Sequence, residues 1–363
     1  MTVVHLISSL GVGGAESLLC DIVAGVQAAG IQQQVIYFYD GPNVARVRAL
    51  GIPVQQITGR WCLYDPVFFV RLWRALKTIN PDCIHASLWA ANWASRIMGK
   101  LLGIPVINVM HARTNTGTHS SASTVRTILD ALTTRWCTQT VVVAPSMRTY
   151  FPDAQVIHNG IDAQQVRVRA QEQCVSRTAY GFAPDDWVIG TVGSLVPVKN
   201  HQLLLTACAP IIKKYAHVRV MIVGSGPCEQ MLRATAHDLN IAHVVRFVTG
   251  ASQAYGYYPL FDCFVQSSDY EGLSIALLEA LSCGIPALVT GRDGQHDVIT
   301  HGVDGIVVPP RNPALLHDAL DTLITDFGAR ARYVAQGKMR VDRDFSTVIM
   351  IKKYVDLYKN LCA

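Results

Sequence analysis

The stretch Asp269-Tyr270-Glu271-Gly272-Leu273-Ser274-Ile275-Ala276-Leu277-Leu278-Glu279-Ala280-Leu281 reads as a strand exit, a glycine turn and a helix entrance. It follows an apolar run at 263–266. Ser274 suits the N-cap, because its hydroxyl can accept an N–H of the first helical turn. The N–H groups of Gly272, Leu273, Ser274 and Ile275 would then converge on one point with the helix dipole behind them, which favours a phosphate or sugar oxygen. Glu271 stands at that mouth, where a carboxylate accepts bonds from sugar hydroxyls. Glu279 falls inside an otherwise apolar helix and is harder to place at the surface. Read singly, Glu271 also fits a helix-start acid and Glu279 a solvent-facing residue.

A strand passing straight into a helix is the repeating unit of a parallel α/β sheet, and it recurs on both sides of this stretch. The first half predicts strands at 3–8, 34–39, 83–86, 106–110 and 140–143, with amphipathic helices at 14–29, 65–79, 90–102 and 120–135. The second half predicts strands at 187–193, 218–223, 244–248, 263–266, 287–289 and 305–308, with helices at 201–215, 229–238, 274–283 and 313–325. Residues 162–186 carry no strand period and mark the boundary. The expected organisation is an α/β chain of two doubly wound domains, 1–168 and 186–345, followed by a terminal helical segment 346–363. That helix should carry Val348, Ile351, Val355 and Tyr358 on one side, with Lys352, Lys353 and Lys359 elsewhere. A chain of 363 residues exceeds what one hydrophobic core usually organises, in keeping with two domains.

Half of the residues are apolar and 16% are charged, which excludes a disordered chain. No apolar run approaches the roughly 20 residues that span a bilayer. The first residues lack a basic leader and a small-residue cleavage site, so a cytoplasmic protein is expected. The ten cysteines form no C-x-x-C pair and no cluster with histidine, which fits reduced thiols better than zinc or disulfides. Residues 1–180 carry 15 Lys/Arg against 9 Asp/Glu, and residues 181–363 carry 16 against 17. The basic excess of the first half suits an anionic membrane surface or an ordinary solvated face.

Three further strand-to-turn segments invite a ligand. Gly193-Ser194-Leu195-Val196-Pro197-Val198-Lys199 precedes a helix, and a fixed Lys199 ammonium could neutralise a leaving phosphate. Val223-Gly224-Ser225-Gly226-Pro227 allows close backbone approach, although G-x-G-P alone means little beyond a tight turn. Gly13 and Gly14 join the first strand to the first helix, without the G-x-G-x-x-G spacing of dinucleotide enzymes. His111 and His85 lie near strand ends, where doubly wound sheets place ligands, and either also fits a core histidine.

These residues resemble the retaining GT-B glycosyltransferases of the glycosyltransferase 4 group. Glu271 to Glu279 matches that family's E-x7-E signature. Val156-Ile157-His158-Asn159-Gly160-Ile161-Asp162 is similar to its V-I-x-N-G-I-D, and Gly193 to Lys199 to its G-R-L-x-x-x-K. Weaker matches at 13–16, 85–89, 223–227 and 302–305 extend the likeness along nearly the whole chain.

The resemblance implies two Rossmann-like domains facing a central cleft, the first on the acceptor side and the second binding a nucleotide diphosphate sugar. It implies that Glu271 holds the donor sugar, that Glu279 accepts the ribose hydroxyls, and that Lys199 contacts the diphosphate. Gly272, Leu273 and Ser274 would supply backbone contacts, Gly224 a close turn, and Gly13 and Gly14 the floor beneath the phosphates. His111 would touch the sugar from the first domain, and the terminal helix would cross back to that domain. Ser194 stands where the family usually has arginine, so one positive charge is missing beside the diphosphate. The implied activity is retaining transfer from a UDP- or GDP-sugar to a glycan or polyprenyl-linked acceptor in cell-surface polysaccharide or glycolipid synthesis. No metal, other cofactor or nucleic-acid partner is expected.

The acceptor leaves a fainter trace. Helix 65–79 opens on Asp65 and Pro66, should bury Phe68, Phe69, Leu72, Trp73 and Leu76, and shows Arg71, Arg74 and Lys77. Its basic face fits an ordinary amphipathic helix or peripheral contact with an anionic membrane. A nucleotide-sugar epimerase or hydrolase, or a binding module without catalysis, would share this architecture.

Overall fold

The computed structural model describes residues 1–60, 65–112, 121–251, 253–291 and 294–362. The chain divides into two compact units, Met1–Gly160 with Thr347–Ala363, and Ile161–Ser346.

The first unit contains strands β1 (Thr2–Ser9), β2 (Gln32–Tyr39), β3 (Val54–Gln56), β4 (Cys83–Ser87), β5 (Val106–Met110), β6 (Gln139–Val142) and β7 (Gln155–Val156). Its helices are α1 (Gly14–Ala28), α2 (Asn43–Ala49), α3 (Pro66–Ile79), α4 (Trp89–Leu102) and α5 (Ser121–Thr133). The helix expected at 120–135 begins outside the described residues. All strand pairs are parallel, in the order β3-β2-β1-β4-β5-β6-β7. Helices cover such a sheet on both faces, so most side chains of its central strands are apolar. Val3, Val4, Leu6 and Ile7 of β1 and Ile84 and Ala86 of β4 are fully or almost fully buried.

The second unit contains β8 (Trp187–Val192), β9 (Val218–Val223), β10 (Val245–Val248), β11 (Cys263–Gln266), β12 (Ala287–Thr290) and β13 (Ile306–Val308). They too are parallel, in the order β10-β9-β8-β11-β12-β13. The helices are α6 (Ala163–Glu172), α7 (His201–Lys214), α8 (Glu229–Asp238), α9 (Ile275–Ser282), α10 (Gly294–Val298), α11 (Pro313–Thr325) and α12 (Phe327–Asp344). Strand order reverses between β1 and β4 in one sheet and between β8 and β11 in the other. Such switch points open a crevice at the carboxyl ends of the strands.

Residues 162–186, read from sequence as a boundary, fold within the second unit. Asp162 caps α6 by accepting the Gln165 N–H at 2.9 Å, and Ala163, Val166 and Ala170 are buried. A Cβ on Gly256 would lie 2.0 Å from the Gln173 carbonyl oxygen, so the end of α6 packs directly against the 255–260 turn. The Ile161 N–H donates to the Phe345 carbonyl at 2.9 Å, so the chain enters and leaves this unit side by side.

Helix α12 was not anticipated, and its buried stripe explains why. Ala329, Tyr333, Gly337 and Val341 recur every four residues, and two of these are too small to register as hydrophobic periodicity. A Cβ on Gly337 would lie 2.7 Å from Leu281 Cδ2 of α9, which keeps that position small.

The terminal helix α13 (Thr347–Leu361) belongs to the first unit, and the apolar side read from the sequence is only partly the one that it buries. Met350, Tyr354, Val355, Leu357 and Tyr358 are buried, whereas Val348 is 77% exposed. Two apolar stripes overlap on this helix, and the tyrosine-bearing one is buried against the His85 ring. Tyr358 Oη lies 2.5 Å from His85 Nδ1, and Tyr354 stacks on the His85 ring at 5.1 Å. His5 stands 5.0 Å from His85 and donates Nε2–H to Gln33 Oε1 at 2.8 Å.

Burial lowers His5 to about 4 and His85 well below the ordinary 6.5, so the folded unit keeps both neutral. Between pH 6.5 and about 4 the unfolded chain binds more protons than the folded one. Stability should therefore be full above 6.5 and decline as pH falls through this window. Thermal denaturation between pH 7.5 and 4.5 checks this, and a flat midpoint would contradict the buried neutral cluster.

Candidate functional site

Of the three acidic residues in the 269–281 stretch, Asp269 and Glu271 lie on the exit from β11, beside the switch point of the second sheet, and Glu279 lies within α9. Ser274 caps α9 by accepting the Leu277 N–H at 3.3 Å, as its hydroxyl predicts. The N–H groups of Ile275 and Ala276 have no intrahelical partner, as at any helix start. Gly272 cannot be crowded: a Cβ on Gly294, at the start of α10, would lie 1.3 Å from the Gly272 carbonyl oxygen.

Sheet order brings the exit from β8 alongside. After β8 the chain runs through Gly193 and Ser194 to a 3-10 turn, Pro197–Lys199. Asn200 then takes a left-handed conformation (φ 46°, ψ 46°) and caps α7 with its side chain. Lys199 Nζ makes an ion pair with Glu271 Oε1 across 72 residues of sequence. The same oxygen accepts Gln266 Nε2 at 2.6 Å and Ser268 Oγ at 3.1 Å. Oε2 takes no protein donor among the described residues. The lysine and carboxylate are 23% and 13% exposed, so each charge depends on the other for compensation.

The rest of this neighbourhood is built by close backbone packing. Gly224 has φ 153°, and a Cβ there would lie 1.9 Å from the Gly193 carbonyl oxygen. The 224–226 turn is therefore pressed against the 193–195 loop, which accounts for its glycines by packing. Ser194 is exposed, and its carbonyl faces His201 Nε2 at 3.3 Å. Burial lowers His201 to about 4, leaving a neutral imidazole beside Ser194. Glu279 Oε2 accepts the phenol of fully buried Tyr258 at 2.6 Å. Burial first, and then this carboxylate, raise the tyrosine well above its ordinary value.

In the first unit, Gly13 is the extended N-cap of α1 and Gly14 its first residue. The adjoining loop is held by Asn43, whose Nδ2 donates to the Gly11 carbonyl at 2.7 Å. His111 follows β5 directly; burial lowers it to about 4, and its Nε2 has no partner among the described residues. His85 is instead a core residue beneath α13.

Asp65 caps α3 by accepting the Phe68 N–H at 2.9 Å, with Pro66 in the first turn. Phe68, Leu72 and Leu76 are buried, while Phe69 and Trp73 are only partly so. Arg71 Nη1 donates to the Thr58 carbonyl at 2.8 Å, and Lys77 Nζ lies 4.8 Å from the Trp73 ring centre. Arg71 and Arg74 line a groove of about 570 Å³ of mixed character, with Gln34, Gln55 and Gln56 beside Ile57 and Ile79. Among the described residues no acidic side chain lines it.

Comparison with known proteins gives this arrangement its setting. The Glycosyltransferase Family 4 model matches residues 12–165, and the model for glycosyl transferases group 1 matches residues 175–340. An uncharacterized glycosyltransferase of Methanocaldococcus jannaschii is 26% identical, over 88% of this chain and 85% of its own. The chain is a glycosyltransferase. A GDP-mannose-dependent alpha-(1-6)-phosphatidylinositol monomannoside mannosyltransferase of Mycobacterium tuberculosis is 30% identical over 49% of this chain and 48% of its own. Among solved structures, Anabaena Alr3699/HepE in complex with UDP-glucose has a TM-score of 0.87 at 21% identity, covering 99% of this chain and 100% of that one. The sucrose-phosphate synthase of Thermosynechococcus elongatus has a TM-score of 0.85 at 17% identity, covering 99% of each. The enzyme is thus family 4-like, with the two parallel-sheet Rossmann-like domains of the GT-B fold.

In this glycosyltransferase the structure adds residues that sequence reading missed: Gln266 and Ser268 on Glu271, Tyr258 on Glu279, and Gly294 against Gly272. Ser268 lies three residues before Glu271 and was open to inspection; Tyr258 carried no local signal. The sequence does hold an Asp-x-Asp, Asp342-Arg343-Asp344, so metal independence does not follow from the absence of that motif. It closes α12 with its carboxylates on arginines, Asp342 on Arg167 at 3.4 Å and Asp344 on Arg343 at 2.7 Å. Among the described residues no group of three or more His, Cys, Asp or Glu could hold a metal ion, and no helix is long and apolar enough to cross a membrane.

Proposed function

We propose that the enzyme transfers a sugar, with retention at the anomeric carbon, from a UDP- or GDP-sugar to a glycan or lipid-linked acceptor of cell-surface polysaccharide or glycolipid synthesis. The observation that carries this reading is the joining of Lys199 and Glu271 at the switch point of the second sheet, with the start of α9 adjacent. Glu271 holds hydroxyls of the donor sugar, and Lys199 neutralises the charge gathering on the leaving diphosphate. Gly272, Leu273 and Ser274 offer backbone contacts, with Gly224 shaping the loop beneath Ser194. Glu279, oriented by Tyr258, accepts the ribose hydroxyls. The leaving diphosphate takes the acceptor proton on the face being attacked, so the protein supplies positioning and charge stabilisation and needs no bound metal. Gly13, Gly14 and His111 remain the first unit's candidate ligand contacts.

The UDP-glucose in the Anabaena structure and the GDP-mannose in the mycobacterial name support this donor class. That relative's phosphatidylinositol acceptor supports a lipid-linked acceptor. We read the enzyme as cytoplasmic, with α3 docking on anionic membranes through Arg71, Arg74 and Lys77, each contributing about 1 kcal/mol that salt screens.

Labelled UDP- and GDP-sugars incubated with anionic vesicles of membrane lipid extract should yield labelled lipid or glycan with the donor's anomeric configuration. The protein should sediment with those vesicles at low salt and be released at high salt. Free sugar alone would favour a hydrolase, and an inverted product would overturn retention. Protein remaining in the supernatant at low salt would remove the membrane from the reading.

A further inference from the structure

We propose that Asp269 and Arg311 are positioning residues that hold the Lys199 turn in place; this rests on reading Lys199 as the diphosphate contact. Asp269 sits at the centre of a network linking three loops of the second unit. Its Oδ1 accepts Asn200 Nδ2 at 2.9 Å. Its Oδ2 accepts Arg311 Nε at 3.0 Å and Nη2 at 2.7 Å. Its backbone N–H donates to the Val198 carbonyl at 2.8 Å, and Ser267 Oγ donates to the Lys199 carbonyl at 3.1 Å. Lys199 is thus gripped on both sides by the exit from β11, the segment that also carries Glu271.

The backbone of the two partners shows what the network is for. Asn200 and Arg311 both occupy the left-handed region, at φ 46° and 59°. Asparagine tolerates that region, whereas arginine has no local hydrogen bond to offset the clash of its Cβ. Arg311 is 76% exposed, and an exposed ion pair adds little stability. A strained residue delivering two hydrogen bonds to one carboxylate is better explained by the geometry it enforces nearby. The geometry it enforces is that of Asn200, and so of the residue before it. With Asn200 both tied to Asp269 and capping α7, the Lys199 side chain starts from a fixed backbone and reaches Glu271 without searching.

The test is a double-mutant cycle on kcat/KM. Arg311→Gly removes the guanidinium while accepting the left-handed backbone, so the fold is kept; Asp269→Asn keeps the shape and removes the charge. Each should lower kcat/KM about tenfold, through kcat more than KM, because small misplacements of a charge-stabilising group are costly. In a Lys199→Ala background neither should cost anything further, since groups acting through one residue are not additive. An equal loss in both backgrounds would make the network merely structural and overturn the proposal. Full activity of both single variants would overturn it as well. A fully active Lys199→Ala would instead remove the donor-site reading on which the proposal stands.

Discussion

Glu271→Ala should lower kcat on the order of 10²-fold or more, while Glu279→Ala should chiefly raise the KM for donor. The contrast follows from what each carboxylate touches. Glu271 Oε1 gathers Lys199, Gln266 and Ser268, so its removal takes away the proposed sugar contact and also leaves a largely buried ammonium without its partner. Glu279 is held by Tyr258 on the body of α9, and the ribose contact proposed for it would be the same in ground state and transition state. Steady-state kinetics on variants with wild-type circular dichroism separate the two. Unchanged kinetics in both would remove the site from this face of the sheet.

Lys199→Ala is expected to cost a similar 10²-fold or more, because a preorganised charge opposite a developing anion is lost. Ser194→Arg should be tolerated or should raise turnover, since Ser194 is exposed and only its carbonyl faces His201. An arginine there would return positive charge to the loop that carries Lys199. If Lys199→Ala keeps wild-type turnover, the diphosphate is neutralised elsewhere; the lysine would then serve only to hold Glu271.

Much of the candidate site was legible because its signals are local. The Ser274 cap, the glycine turn after Glu271 and the lysine before α7 each lie within a few residues of a strand end. Pairings across the sheet were hidden. Nothing within one turn of Glu279 names Tyr258, and Arg311 lies 42 residues from the carboxylate it grips. The Gly224 turn shows the reverse: a segment that suggested a ligand is accounted for by the Gly193 carbonyl packed against it.

By itself the sequence determined the two doubly wound halves, the helix starts at Asp65 and Ser274, and the strand exits on which chemistry is expected. Each of these depends on neighbours one turn or one strand away: β-branched runs buried on both faces, side chains that cap, glycines that turn. Tertiary structure alone decided that Lys199 meets Glu271, that residues 161–186 join the second unit, that α12 packs through alanine and glycine, and that α13 buries its tyrosine face. The physical reason is common to all four. Strand order puts β11 beside β8 although β9 and β10 intervene in the chain, and which stripe of α13 turns inward is set by what packs against it. Hydrophobic period encodes which residues turn inward, while the groups they meet there are set by the packing of the whole unit.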